Sequence, residues 1–187
     1  TSAPAGEGSG FTIAAAQIKC VVGAAGRIDQ IEVLGATEVT LTGGEVEANL
    51  VCDQLRIELD PARQVLKRLE LLAPGSITLK EAQQLVVFGN QMTLSFAADG
   101  KLQDLQVVGA ARFTREEILG RGERLAYDFA AGSLVLSGQD CSVTAKGSTF
   151  QSSELILESE KNRVVSHKPV RAVLSPPRDG VLLSARP

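Results

Sequence analysis

Polar and apolar residues alternate along most of this chain, and the alternation returns five times as nearly the same short phrase. The copies are Gln17-Ile-Lys-Cys-Val, Gln54-Leu-Arg-Ile-Glu-Leu, Gln91-Met-Thr-Leu-Ser-Phe, Arg124-Leu-Ala-Tyr-Asp-Phe and Glu154-Leu-Ile-Leu-Glu-Ser. A period of two is that of a strand with one face in water and the other hidden. The first apolar residues of the phrases, Ile18, Leu55, Met92, Leu125 and Leu155, stand 37, 37, 33 and 30 residues apart. A second marker, Val39, Ile77, Phe113, Val143 and Val173, moves nearly in phase with steps of 38, 36, 30 and 30. A turn and a third apolar stretch lie between them, as in Gly26 to Gly35 and Asp99 to Gly109. One unit therefore reads as about three short antiparallel strands joined by turns.

A single such unit cannot hide its apolar face, but a stack of units can. The alternation predicts an inner ladder of Ile18, Cys20 and Val22, then Leu55, Ile57 and Leu59, then Met92, Leu94 and Phe96, then Leu125, Tyr127 and Phe129, and finally Leu155 and Leu157. Two architectures would bury it: a closed β-solenoid filled by its own side chains, or an open folded sheet whose inner face is a trough. The uneven repeat length and mixed side-chain sizes favour the trough. The one helical candidate, Pro61 to Leu72, reads better as a turn and a strand, because Asp60-Pro61 opens a turn and the equivalent segments elsewhere are strand-like.

Composition supports an all-β chain. Hydrophobic residues make up 44% but aromatics only 4%, with no Trp, and 18 Gly and 7 Pro punctuate the strands. No shift in composition divides the repeats, so residues 11–175 are read as one elongated domain. Residues 1–10 are rich in Ser, Ala and Gly and read as disordered; beyond Pro176-Pro177, residues 176–187 read as a tail or an edge strand. The chain starts without Met and shows no charged-then-apolar leader, as a processed or trimmed chain would; no apolar run approaches the roughly 18 residues that span a membrane.

Candidate chemistry is sparse. His167 is the only histidine, which leaves no His-rich metal site and no common catalytic triad. Glu116-Glu117 beside Arg115 fits a solvated turn, and Gly120-x-Gly122 lacks the strand-then-helix context of a phosphate loop. No enzyme signature, metal or cofactor is expected. Cys20, Cys52 and Cys141 form no close pair, and the reading favours free thiols. A net charge of −3 speaks against nucleic acid as a partner. Lys67-Arg68 and the set Arg112, Arg115, Arg121 and Arg124 could meet the phosphates of a lipid headgroup, although a solvated face is the simpler account.

The stretch Gly120 to Gly138, followed by Val143-Thr-Ala-Lys-Gly and Glu154-Leu-Ile-Leu, resembles the OstA-like domain of the periplasmic lipopolysaccharide transport proteins of the LptA and LptC type. Leu125, Tyr127, Asp128, Leu134, Leu136 and Gly138 match that family's pattern, while Gly122 or Glu123 stands where alanine is commoner. Weaker copies extend the resemblance over roughly residues 11–175. It implies a twisted, V-shaped β-jellyroll in the periplasm, whose inner face shelters the acyl chains of lipid A. It also implies association with other OstA-like components, or with further copies of itself, through exposed edge strands. The physics is consistent, since each acyl methylene withdrawn from water is worth about 0.8 kcal/mol and apolar contacts leave a chain free to slide. A phospholipid-transfer protein with a repeating groove, and a structural β-solenoid without a lipid ligand, remain open alternatives on the sequence.

Overall fold

Alternation at this density leaves the backbone one way to satisfy its polar groups, which is to pair with neighbouring strands. In the computed structural model the described residues are 10–24, 26–42, 46–80, 83–158 and 163–174. They form one antiparallel sheet of 14 strands, and no helix occurs among them. The strands are β1 (Gly10–Ala14), β2 (Gln17–Val22), β3 (Ile28–Thr42), β4 (Glu47–Leu59), β5 (Leu66–Leu71), β6 (Gly75–Lys80) and β7 (Leu85–Gly89). There follow β8 (Gln91–Phe96), β9 (Leu102–Arg115), β10 (Ile118–Asp128), β11 (Ser133–Ala145), β12 (Ser148–Glu158), β13 (Arg163–Val165) and β14 (Arg171–Val173). Residues 1–9 and 175–187 lie outside the described set, and with them most of the expected disordered leader and the whole C-terminal tail.

The sheet is folded on itself into two leaves. The first leaf runs β2-β3-β4-β5-β8-β9-β10-β11-β12-β13, and the second runs β1-β3-β4-β6-β7-β9-β10-β11-β12-β14. Six strands, β3, β4 and β9 to β12, belong to both. They are 11 to 15 residues long, so several segments that the sequence presents as separate short strands are two halves of one bent strand.

The bends fall where pairing register slips, between Leu34 and Thr37 in β3 and between Ser137 and Cys141 in β11. A slipped register bends and twists a strand. Gly35 (φ 84°) and Gly109 (φ 81°) supply the left-handed backbone at the bends of β3 and β9, a conformation that disfavours side chains with a Cβ. These glycines look like strand ends in the sequence but are hinges inside strands.

The segment 61–72 is not a helix. Asp60 accepts hydrogen bonds from the backbone N–H of Ala62 (2.8 Å) and Arg63 (2.9 Å), closing a turn, and β5 follows. Those two N–H groups hold the Asp60 carboxyl below its ordinary pKa.

Between the leaves lies one continuous hydrophobic core. Leu50, Ile57, Leu69, Ile77, Leu79, Leu85, Val87, Leu94 and Leu105 are all fully buried within it. Each such side chain contributes roughly 1.5–3 kcal/mol against the cost of ordering the chain.

Candidate functional site

Cross-strand registry turns the repeated phrase into continuous lines of side chains. On the inner face of the first leaf one line passes through Ile18, Val33, Leu55, Leu71, Met92, Val107, Leu125, Leu136 and Leu155. A parallel line passes through Cys20, Ile31, Ile57, Leu69, Leu94, Leu105, Tyr127, Leu134, Leu157 and Val164. Neither contains a charged residue, because directly paired residues point to the same face and every strand contributes its apolar parity.

The expected inner ladder is thus gathered on one face, and its environment changes along the stack. Leu55, Ile57, Leu59, Met92, Leu94, Leu125, Tyr127, Leu155 and Leu157 are buried in the core. Phe96 and Phe129 are only partly buried, at the lip where the first leaf ends in turns. Phe129 sits against Tyr127, with ring centroids 4.7 Å apart and planes tilted by 58°. Ile18 (48% exposed), Cys20 and Val22 (58% exposed) lie open on β2, an edge strand with no further strand beyond it among the described residues. The two leaves therefore meet in the middle, and their apolar interior reaches water at the β2 end.

The opposing wall is the second leaf, which the inner-ladder reading does not contain. Its central line is Ile13, Val39, Leu50, Ile77, Val87, Phe113, Gly120, Val143, Phe150 and Ala172. The in-phase marker residues Val39, Ile77, Phe113 and Val143 are four of these, so the signal for the second wall is present in the sequence. Val173 departs from the series: it pairs with Thr149 on the outer face and is 59% exposed, while Ala172 takes the inward position. Gly120 is the one gap in the line, and the Phe113 ring occupies the space where its Cβ would be. The glycine is there for packing.

Toward the lip, a second line on this leaf runs Phe11, Leu41, Ala48, Leu79, Leu85 and then Arg115, Ile118, Ala145 and Ser148. The wall is apolar at the β1 end and acquires polar groups toward β12. Arg115 is buried and inward, whereas Arg112, Arg121 and Arg124 are exposed on outer faces. Arg68 lies 3.5 Å from Glu70 on the outside of the first leaf. His167 is exposed between β13 and β14.

The three cysteines are free thiols. Burial pushes Cys52 and Cys141 above the ordinary thiol range, and the nearby Glu123 carboxylate adds to the effect at Cys141. Among the described residues no group of three metal-ligating side chains comes together.

Comparison with known proteins agrees with this geometry. Residues 71–163 match the family model of the LptA/(LptD N-terminal domain) LPS transport proteins. Among solved structures, LptH, the LptA homologous periplasmic component of the conserved lipopolysaccharide transport device of Pseudomonas aeruginosa, superposes with a TM-score of 0.54 at 16% identity. The alignment covers 69% of this chain and 95% of LptH. No curated protein matches the chain. The β-jellyroll that the resemblance implies is the fold observed, and the chain is LptA-like, its residues 71–163 matching the LptA/(LptD N-terminal domain) family of LPS transport proteins.

Proposed function

We propose that the protein is a periplasmic bridge module that shelters the acyl chains of lipopolysaccharide between its two leaves during transport to the outer membrane. The observation that carries this reading is the uninterrupted apolar interior, fully buried at Leu94 and Leu105 yet open at Ile18 and Val22. A structural core has no need of an apolar line that continues into water, whereas an acyl chain needs an entrance. The chain enters at the β1/β2 end and lies along the lip, where Ile28, Phe96, Leu102, Ile118, Phe129 and Val164 are only partly covered. The fully buried middle holds the leaves together. Sheltering even six methylenes contributes about 5 kcal/mol, with no directional contact to stop the chain sliding.

The ends of the stack fit head-to-tail assembly with another OstA-like component or a second copy. β1 and β2 form one edge and β13 and β14 the other, each with unpaired backbone groups that can accept an added strand.

The test compares Ile18→Glu/Val22→Glu with the unaltered protein. Binding of fluorescent lipopolysaccharide is expected to fall at least tenfold while the melting temperature changes little, and phospholipid should compete poorly. Undiminished binding would overturn the site. Equal competition by phospholipid would favour a general lipid-transfer protein.

A further inference from the structure

The outer faces of the two leaves treat charge differently. On the first leaf one line reads Lys19, Glu32, Arg56, Glu70 across β2, β3, β4 and β5, so that each cation faces a carboxylate. Lys19 Nζ lies 3.2 Å from Glu32 Oε2, and an Arg56 terminal nitrogen lies 3.4 Å from Glu70 Oε2. On the second leaf the line Phe88, Arg112, Arg121, Ser142 crosses β7, β9, β10 and β11 and sets two arginines directly opposite each other. Among the described residues neither forms an ion pair. Like charges in register weaken a sheet, so this arrangement carries a cost that an anion would relieve.

The arginines sit in a built groove. Ser142, only 7% exposed, accepts a hydrogen bond from Arg121 Nε at 2.9 Å, which fixes the guanidinium and leaves its two terminal nitrogens for another acceptor. The adjacent line, Thr114, Leu119 and Thr144, adds hydroxyls, and Thr144 is hydrogen-bonded to Thr149 at 3.0 Å. Phe88 (46% exposed) and Leu119 (54% exposed) supply apolar faces. The depression is shallow and open to solvent, with a volume of about 980 Å³.

The backbone groups beneath are committed to the sheet, so a peptide cannot join here by strand addition and recognition falls to side chains alone. Guanidinium forks suit phosphate, hydroxyls suit sugar hydroxyls, and an exposed phenyl face suits the C–H face of a sugar ring. We infer that this outer groove binds a phosphorylated saccharide, with Arg112 and Arg121 holding the phosphate. The inference rests on the transport reading for the source of that saccharide, the glycan of the transported lipid.

Calorimetry of the full chain with completely deacylated, phosphorylated lipopolysaccharide glycan tests this, since the probe has no acyl chains to enter the interior. Binding is expected, with at least a tenfold loss in Arg112→Gln/Arg121→Gln, whose melting temperature should hold or rise as the like-charge repulsion is relieved, and in Leu119→Ser, whose melting temperature should not fall. The dephosphorylated glycan should not bind, and inorganic phosphate should bind at least tenfold more weakly than the glycan. The assignment is overturned if the glycan fails to bind, if these substitutions leave its binding unchanged, if inorganic phosphate binds equally well, or if polyglutamate displaces it at equal concentration. Failure of the glycan to bind, with intact lipopolysaccharide still captured through Ile18 and Val22, would refute the groove alone and leave the acyl-chain reading standing.

Discussion

Ile18 and Val33 are paired residues on the same inner line, both β-branched and one strand apart, yet Ile18 is 48% exposed and Val33 is fully buried. The same contrast separates β2 as a whole from the middle of the first leaf. Identical alternation produces a wet edge in one place and a dry core in the other. Alternation specifies which face a side chain takes; the strands beyond it and the leaf opposite specify whether that face loses its water.

The contrast can be broken at its core first. Leu94→Ala removes a fully buried side chain and is expected to cost about 2–5 kcal/mol, whereas Ile18→Ala should cost no more than about 1 kcal/mol, given its half-exposed site. Urea titration of the two variants measures the gap, and similar losses would mean that β2 is covered in solution. Next in size is Gly120→Ala. Its Cβ would collide with the Phe113 ring, and the overpacking should cost about 1–3 kcal/mol. Pairing it with Phe113→Leu should recover part of that cost in denaturation experiments if the ring is the cause.

Cysteine chemistry sharpens the same comparison without changing the fold. In the native protein iodoacetamide should modify exposed Cys20 first, with Cys52 and Cys141 reacting only after unfolding, as peptide mass spectrometry would show. The raised pKa of the two buried thiols means that their share of stability is present below the unfolded thiol pKa. It is lost as pH rises through the higher folded values, so their protection should weaken in alkali. The smallest effect belongs to Asp60, in the exposed turn before β5. Its folded pKa is lowered by the N–H groups of Arg63 and Ala62, so its contribution is present above the unfolded value near 3.8 and disappears as pH falls through the lower folded value. Asp60→Asn should therefore be slightly less stable than the parent at neutral pH, with the difference vanishing in acid when melting temperatures are compared.

Much of the apolar interior was legible in the residues. The polar-apolar phrase placed Leu55, Ile57, Met92, Leu94, Leu125, Tyr127, Leu155 and Leu157 on one face, where registry gathers them. The phase marker pointed to the second wall through Val39, Ile77, Phe113 and Val143 but misplaced the last strand by one residue, because Val173 and Ala172 are both apolar enough to be read as inward. Gly35 and Gly109 were legible as breaks but not as bends inside strands, since a turn and a bulge draw on the same left-handed glycine. The Phe88–Arg112–Arg121–Ser142 line joins residues up to 54 positions apart, and no local pattern announces it.

By itself the sequence determined an all-β repeat, the parity of its apolar face and the family it resembles, because period-two alternation and turn residues act locally. Only the tertiary structure decided that the two leaves close over Leu94 while leaving Ile18 open, and that two arginines from neighbouring strands face each other above Ser142. Burial and registry depend on which strands become neighbours, and that is settled by long-range pairing rather than by any residue's own preference.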